Sequence, residues 1–550
     1  MVRIMGEAIV VPARRDARDL ARLAGMLWDP RLRSWVAPLT PRFARRVWQV
    51  FGADRVEPVA HPRFLRLLQA YDEQERLLAD LRLAREDDQV LHALAAGLEW
   101  VTEPYRHQIH TVLYGLFFPR WAYFLGLGTG KTKAAIDTFR LLQGWGEVDH
   151  LLVVCPATLR DTWQQQVEQH SHMSCEVLQG TRAVRAARLH ETSADVVVTN
   201  YEALDGCGAA YGEVVNERWM LVFDESHRAK SPKAARTKLA IGLSAGAGRV
   251  LLLTGTPYTR HLRDIFTQLL VLDRGETFGA SWSRFFQAAI GRAGVSWNGE
   301  VDWSKNSDFV DMVKAQVGRI STVWATAECV DLPDRVFTTI AVQLGAEQRK
   351  VYKAVKASVD AAIGGRTVRA EPEVLVQLLR LAQVTSGFVR QDGQTTRILP
   401  NAKLGALRDL VVDLAVQSIV WCRFHEEINM VSELLDELGI THAECSGRLS
   451  AKGKRTHLER FRTGAARVLV AIPGAGGVGL TLNEAKAMIY YSVGYNFAEY
   501  DQSLGRNYRI GQHTNVAVYL LVGKKTIDQR IMDNLKGKRS LGHLLVGGYE

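Results

Sequence analysis

Short apolar runs alternating with helix-spaced stretches constrain this chain more than any other feature of its sequence. Runs at 151–155, 195–199, 219–223 and 249–253 follow a first one at 121–125, and the pattern returns at 418–422, 467–471, 487–491 and 516–521. Strands that are apolar throughout are buried on both faces, so each set predicts a parallel sheet with helices above and below it. Ligands of such sheets sit outside the carboxyl ends of the strands, so the residues just after each run are where chemistry is expected.

After the first run comes Gly126-Leu127-Gly128-Thr129-Gly130-Lys131-Thr132, and apolar residues then recur at helical spacing from Lys131 to Leu142. A glycine-rich turn between strand and helix bares backbone N–H groups at a helix N-terminus, where they and the helix dipole attract phosphate. Gly128, Thr129 and Gly130 would cradle the phosphates, Lys131 would reach the terminal ones, and the Thr132 hydroxyl would help hold magnesium. A glycine turn with an incidental lysine is the plain alternative. After the run at 219–223 stand Asp224 and Glu225, a pair that suits a magnesium ligand followed by a water-activating carboxylate. An acidic helix start would look the same in isolation, but not downstream of a Gly-Lys-Thr loop. Thr254 and Thr256 follow another run and could couple the phosphate state to the rest of the molecule. Upstream, the Gln108 amide offers a donor and an acceptor that could read an adenine edge.

The net charge of +10 and a pI near 9.3 favour a polyanionic partner. No apolar run is long enough to span a bilayer and the Arg-bearing start lacks a signal-peptide core, so a soluble, cytoplasmic protein without a membrane partner is expected. Six scattered cysteines without a CxxC pair suggest buried thiols rather than zinc or disulfides.

Residues 1–60 form a separate small module with eleven Arg, no Lys and six acidic residues, its core drawn from Ile9, Val10, Trp28, Trp35, Phe43, Val47, Trp48 and Phe51. Residues 61–100 carry Leu at helical spacing and read as a connector without chemistry of its own. Between the two strand sets, 273–400 reads as a helical insertion and hinge. Its aromatic residues Phe278, Trp282, Phe285, Phe286, Trp297, Trp303, Phe309 and Trp324 are assigned to packing in preference to base stacking.

The order of these motifs resembles that of superfamily 2 helicases, and within them the Snf2-like double-stranded DNA translocases. Further residues carrying the resemblance are Arg106-His107-Gln108, Trp163, Thr199-Asn200-Tyr201-Glu202, Ser226-His227, Trp421-Cys422-Arg423-Phe424, the glycine-rich stretch from Gly474 to Thr481, and the stretch from Asp501 to Gln512. The resemblance implies two recA-like α/β lobes with an ATP cleft between them, lobe 1 at 101–272 and lobe 2 at 401–550. It also implies that Gln108 and Gln502 help bind the nucleotide and that Arg506 and Arg509, three apart on one helical face, reach the transferring phosphate. Thr158, Asn200, Gly477, Gly479 and Thr481, with Thr254 and Thr256, become candidates for DNA contact or coupling. Gly25 to Pro38 resembles part of the small modules of annealing helicases, which contact DNA at forks. Departures from the family pattern are Leu125 and Gly126 in place of an acidic pair, Ser492 in place of an aspartate, and a missing basic pair in the segment from Trp324 to Val330.

The expected function is therefore a DNA-dependent ATPase, with ATP and Mg2+, that moves on or remodels duplex or forked DNA through backbone contacts. No further module is left over, as in compact enzymes of phages and bacteria. A strand-separating DNA or RNA helicase, or an annealing or docking protein whose affinity ATP regulates, are the alternatives.

Overall fold

The computed structural model describes all residues except 7, 14, 24–25, 230, 233, 258–261, 291–306, 330–334, 364–371, 392–393, 475–481, 508–511, 513 and 547–550. Its N-terminal module is an antiparallel sheet in the order β1 (Arg3–Met5), β2 (Ala8–Pro12), β4 (Ser34–Pro38), β3 (Leu27–Asp29), with the helices Arg15–Leu23 and Pro41–Phe51. Ile9, Val11, Trp35, Phe43, Val47 and Phe51 fill its core, while Trp28 stays 42% exposed and meets Trp35 edge to face. Two connector helices follow, His61–Leu83 and Asp88–Leu94.

Seven strands build the first large sheet: β5 (Arg120–Leu125), β6 (His150–Cys155), β7 (Cys175–Val177), β8 (Val196–Asn200), β9 (Trp219–Asp224), β10 (Arg249–Leu253) and β11 (Ser321–Trp324). All pairs are parallel, in the order β11-β5-β10-β9-β6-β8-β7. Trp121, Tyr123, Phe124 and Phe223 are fully buried, each such side chain contributing roughly 1.5–3 kcal/mol of hydrophobic stabilisation. Register aligns the strand ends: Leu253 stands beside Asp224 on one side and Tyr123 on the other.

The second sheet is again wholly parallel. It comprises β12 (Arg335–Val342), β15 (Ser418–Trp421), β16 (His442–Cys445), β17 (Val468–Ala471), β18 (Ala487–Tyr490) and β19 (Val516–Gly523), ordered β12-β19-β18-β15-β17-β16. A separate hairpin, β13 (Phe388–Gln391) and β14 (Gln394–Arg397), stands where a hinge loop is expected. Two parallel α/β lobes are thus present, as the strand pattern predicts.

The division between them differs from the sequence reading. The segment 273–400 is not an insertion apart from the lobes, because it supplies β11 to one sheet and β12 to the other. Both are edge strands, and edge strands need less apolar sequence than central ones, so neither stands out in the pattern. Phe278, Trp282, Phe285 and Phe309 of this region pack with Phe266 into one cluster. Trp297 and Trp303 lie outside the described residues. Among the described helices, none is long and apolar enough to cross a membrane.

Candidate active site

Strand order sets the site. Moving across the first sheet, the ends of β5, β10, β9, β6 and β8 deliver in turn the glycine-rich loop with Lys131, then Thr254 and Thr256, Asp224 and Glu225, Thr158, and Asn200. Residues far apart in sequence therefore share one rim.

Gly128 and Gly130 hold φ of 77° and 83°, the left-handed region in which a side chain is strained, and Gly130 caps the helix Lys131–Gly144. Lys131 Nζ donates to the carbonyls of Leu125 (2.9 Å) and Gly126 (3.0 Å), folding across the loop. Thr129, whose Oγ1 donates to Gly126 O at 2.8 Å, is buried. Thr132 sits in the first turn of the helix, at its dipole-positive end.

Gln108 lies against the glycine-rich loop, with both amide atoms bonded. Its Oε1 accepts the Tyr105 N–H at 3.0 Å, its Nε2 donates to Thr129 O at 3.0 Å, and the residue is only 2% exposed. The amide caps its own helix and holds the loop. His107 Nε2 shares the same Thr129 carbonyl at 2.7 Å.

Asp224 ends β9 with both oxygens engaged: Oδ1 accepts the Glu225 N–H at 2.8 Å and Oδ2 the Trp163 indole N–H at 2.9 Å. Tyr201 OH donates to the Asp224 carbonyl at 2.9 Å. Burial, and next the charge of Glu225, push the Asp224 carboxyl up to about 6. Burial acts on Glu225 in the same sense, but His227, Lys131 and Arg228 outweigh it and hold that carboxyl below its ordinary range. Glu225 has φ of 50°, a left-handed conformation costing a non-glycine residue of order 1 kcal/mol. His227 Nδ1 lies 3.2 Å from Glu225 Oε2 and 3.1 Å from Thr254 Oγ1, and Thr254 Oγ1 also accepts the Thr256 N–H at 3.1 Å. The imidazole joins the carboxylate to the β10 turn. Trp163 and His227 carry the resemblance in sequence, but nothing there assigns the contacts they make.

Asn200 Nδ2 donates to Glu202 at 2.8 Å, and Thr158 is exposed in the short turn after β6.

From the second lobe, the helix Phe497–Leu504 presents Gln502, part-exposed, and ends where Gly505 N donates to Asp501 O at 3.0 Å. Arg506 is buried and lies beyond that helix end. At Gly505 the second lobe meets the glycine-rich loop, since a Cβ built there would stand 2.6 Å from Leu127 Cδ1. Arg509, Gly477, Gly479 and Thr481 lie outside the described residues. Ser492, where the resemblance predicts an aspartate, donates to Glu427 Oε2 at 2.7 Å, so the carboxylate there comes from the neighbouring helix.

Residues 125–387 match the SNF2-related domain, and residues 402–511 match the helicase conserved C-terminal domain. The ATP-dependent helicase MG018 of Mycoplasma genitalium is 23% identical over 433 residues, covering 76% of this chain and 39% of that protein. Protein p41 of Acyrthosiphon pisum secondary endosymbiont phage 1 is 24% identical over 466 residues, covering 80% of this chain and 97% of the phage protein. The chain thus spans about two fifths of the Mycoplasma helicase and nearly all of the phage protein. Among solved structures, the SWI2/SNF2 ATPase core of Sulfolobus solfataricus in complex with dsDNA is 22% identical, with a TM-score of 0.39, covering 80% of this chain and 92% of that one.

Proposed function

The chain belongs to the Snf2-related branch of the superfamily 2 helicases, and from that premise we propose that it hydrolyses ATP to ADP and phosphate in response to DNA, moving on or remodelling double-stranded or forked DNA. The observation that carries this reading is the single rim on which Lys131, Asp224, Glu225 and Thr254 meet. ATP phosphates would settle on the N–H groups of the loop, and Lys131 would leave the Leu125 and Gly126 carbonyls for the terminal phosphate. Glu225, held by its left-handed backbone and His227, would orient the attacking water.

A magnesium ion fits this corner. Two adjoining buried carboxylates crowd negative charge there, and Asp224 with Thr132 would hold the ion, which would neutralise the phosphates when bound. Arg506, and Arg509 after it, would meet the transferring phosphate from the second lobe. Thr158 and Asn200 would grip the DNA backbone from the first lobe, and Gly477, Gly479 and Thr481 from the second. Such contacts carry no base sequence, so structure more than sequence would decide the preferred DNA. The N-terminal module, with exposed Trp28 and a surplus of Arg, supports fork recognition, with annealing or regression as the outcome. The cytoplasm of a bacterial or phage-infected cell is the setting this reading implies.

The test is ATP turnover without nucleic acid and with single-stranded DNA, duplex DNA, forked DNA and RNA, at one fixed low salt concentration. Duplex or forked DNA should stimulate most, and Lys131→Ala and Glu225→Gln should each abolish the stimulated rate. Stimulation by single strands or RNA alone, with strand displacement on tailed substrates, would replace the translocase reading by an unwinding helicase. Unchanged turnover in either variant would remove its residue from the site.

A further inference from the structure

The segment from Trp324 to Val330, where the resemblance predicts a basic pair, has found another use. Gly126 N donates to the Trp324 carbonyl at 2.8 Å, and Thr326 Oγ1 donates to the Leu127 carbonyl at 3.2 Å. The fit is close: a Cβ on Gly126 would lie 2.6 Å from Thr326 N. The turn after β11 therefore carries the first two residues of the glycine-rich loop.

That turn is gripped from the connector. Arg85, just past the helix His61–Leu83, donates from Nη1 to the Val323 carbonyl (2.8 Å) and from Nη2 to Glu328 Oε1 (2.7 Å), with its guanidinium 4.1 Å from the centre of the Trp324 ring. Glu328 closes the turn by accepting the Ala325 N–H at 2.6 Å on its other oxygen. A second path runs beside the first. The Leu81 carbonyl holds His110 Nε2 at 2.8 Å, and the Trp324 indole donates to His110 Nδ1 at 3.3 Å. His110 shares its helix with His107 and Gln108, which hold Thr129 of the loop. At the far end of the same connector helix, Trp48 of the N-terminal module packs on His61 and Phe64, and Thr40 of that module donates to Glu276 of the first lobe at 2.8 Å.

We propose that Arg85 is a positioning residue for the nucleotide loop: acting through Trp324 and Glu328, it sets where Gly126 and Leu127 lie. The proposal rests on the reading that this loop binds ATP. Arg85 touches no nucleotide. Its guanidinium combines a fork with a flat face, and only such a group can bond the carbonyl and carboxylate while stacking on the indole.

The experiment compares wild type, Arg85→Met and Arg85→Lys in ATP turnover at saturating duplex DNA, with thermal midpoints measured in parallel. Arg85→Met keeps the apolar stem and removes the fork. It should raise KM for ATP by roughly fivefold, the lower end of usual couplings between sites, with kcat within about twofold and the midpoint unchanged. Arg85→Lys, which keeps the cation above Trp324, should recover part of the lost affinity. Unchanged KM in Arg85→Met, or KM and kcat worsening together with a lowered midpoint, would reduce Arg85 to a structural contact and overturn the proposal. ATP binding by calorimetry separates the two readings. If wild type binds ATP but no nucleic acid stimulates turnover, the translocase reading fails, and weaker binding by Arg85→Met still upholds the positioning role. If wild type does not bind ATP, both fall.

Discussion

Lowering the pH should destabilise the fold through His110 of the helix Arg106–Phe117, because His110 is built to be neutral. Its Nε2 donates to the Leu81 carbonyl and its Nδ1 accepts from the Trp324 indole, so a second ring proton would turn that acceptor into a donor facing a donor. Burial lowers its affinity for a proton, and the nearby charges of Arg85 and Arg106 push the same way against the Leu81 carbonyl, bringing it down to about 4. Tyr114, the other titratable group against the ring, stays protonated, as burial raises it. Above the ordinary histidine value of about 6.5 the folded and unfolded chains both carry neutral His110, and the group has no effect on stability. Below it the unfolded chain takes up a proton that the folded chain refuses, so stability falls with pH until about 4. At about pH 5 the loss from this one residue is about 2 kcal/mol, one and a half pH units at about 1.4 kcal/mol each. Urea unfolding followed by tryptophan fluorescence, at about pH 7.5 and about pH 5, would measure it against His110→Gln, whose amide can donate to Leu81 and accept from Trp324 without titrating. The variant should lose about 2 kcal/mol less than wild type between the two conditions. Equal losses would refute the reasoning.

Two more substitutions probe the site. Trp163→Phe removes the indole N–H from buried Asp224; a hydrogen bond to a charged group is worth about 2 kcal/mol, so kcat should fall at least about tenfold, and an unchanged kcat would take the indole out of the mechanism. Gly505→Ala places a methyl 2.6 Å from Leu127 Cδ1 at a helix end whose φ of −75° suits alanine, so any loss of turnover is steric. Leu127→Ala in the same chain should restore much of that turnover, and a double variant no better than Gly505→Ala would mean that the lobes do not close on this contact.

Much of the architecture is legible in the sequence because central parallel strands must be apolar on both faces, and 121–125, 219–223 and 249–253 lie within a residue or so of β5, β9 and β10. The positions of Lys131, Asp224 and Thr254 follow directly, since a strand end fixes what comes next. What the sequence hides is what depends on partners. β11 is an edge strand beginning at Ser321, far from the strands it joins, and nothing local marks it. Gln108 has the right chemistry for an adenine edge, yet the nearby Thr129 carbonyl claims its amide. Arg506 and Arg509 have helical spacing, but the helix stops at Leu504, before the first of them. The connector shows only leucines at helical spacing, and the reach of Arg85 to Val323 and Glu328 crosses more than two hundred residues.

The placement of β11 also governs how force travels through the molecule. The first sheet ends at Trp324 and the second begins at Arg335, so the covalent tether between the lobes is 325–334, ten residues that can span at most about 35 Å. Its anchored end is the turn that bonds Leu127 and is clamped by Arg85. If the lobes part during turnover as proposed, a pull on the tether would be borne first by the seat of the glycine-rich loop, and mechanical load and nucleotide affinity would meet in the same few residues.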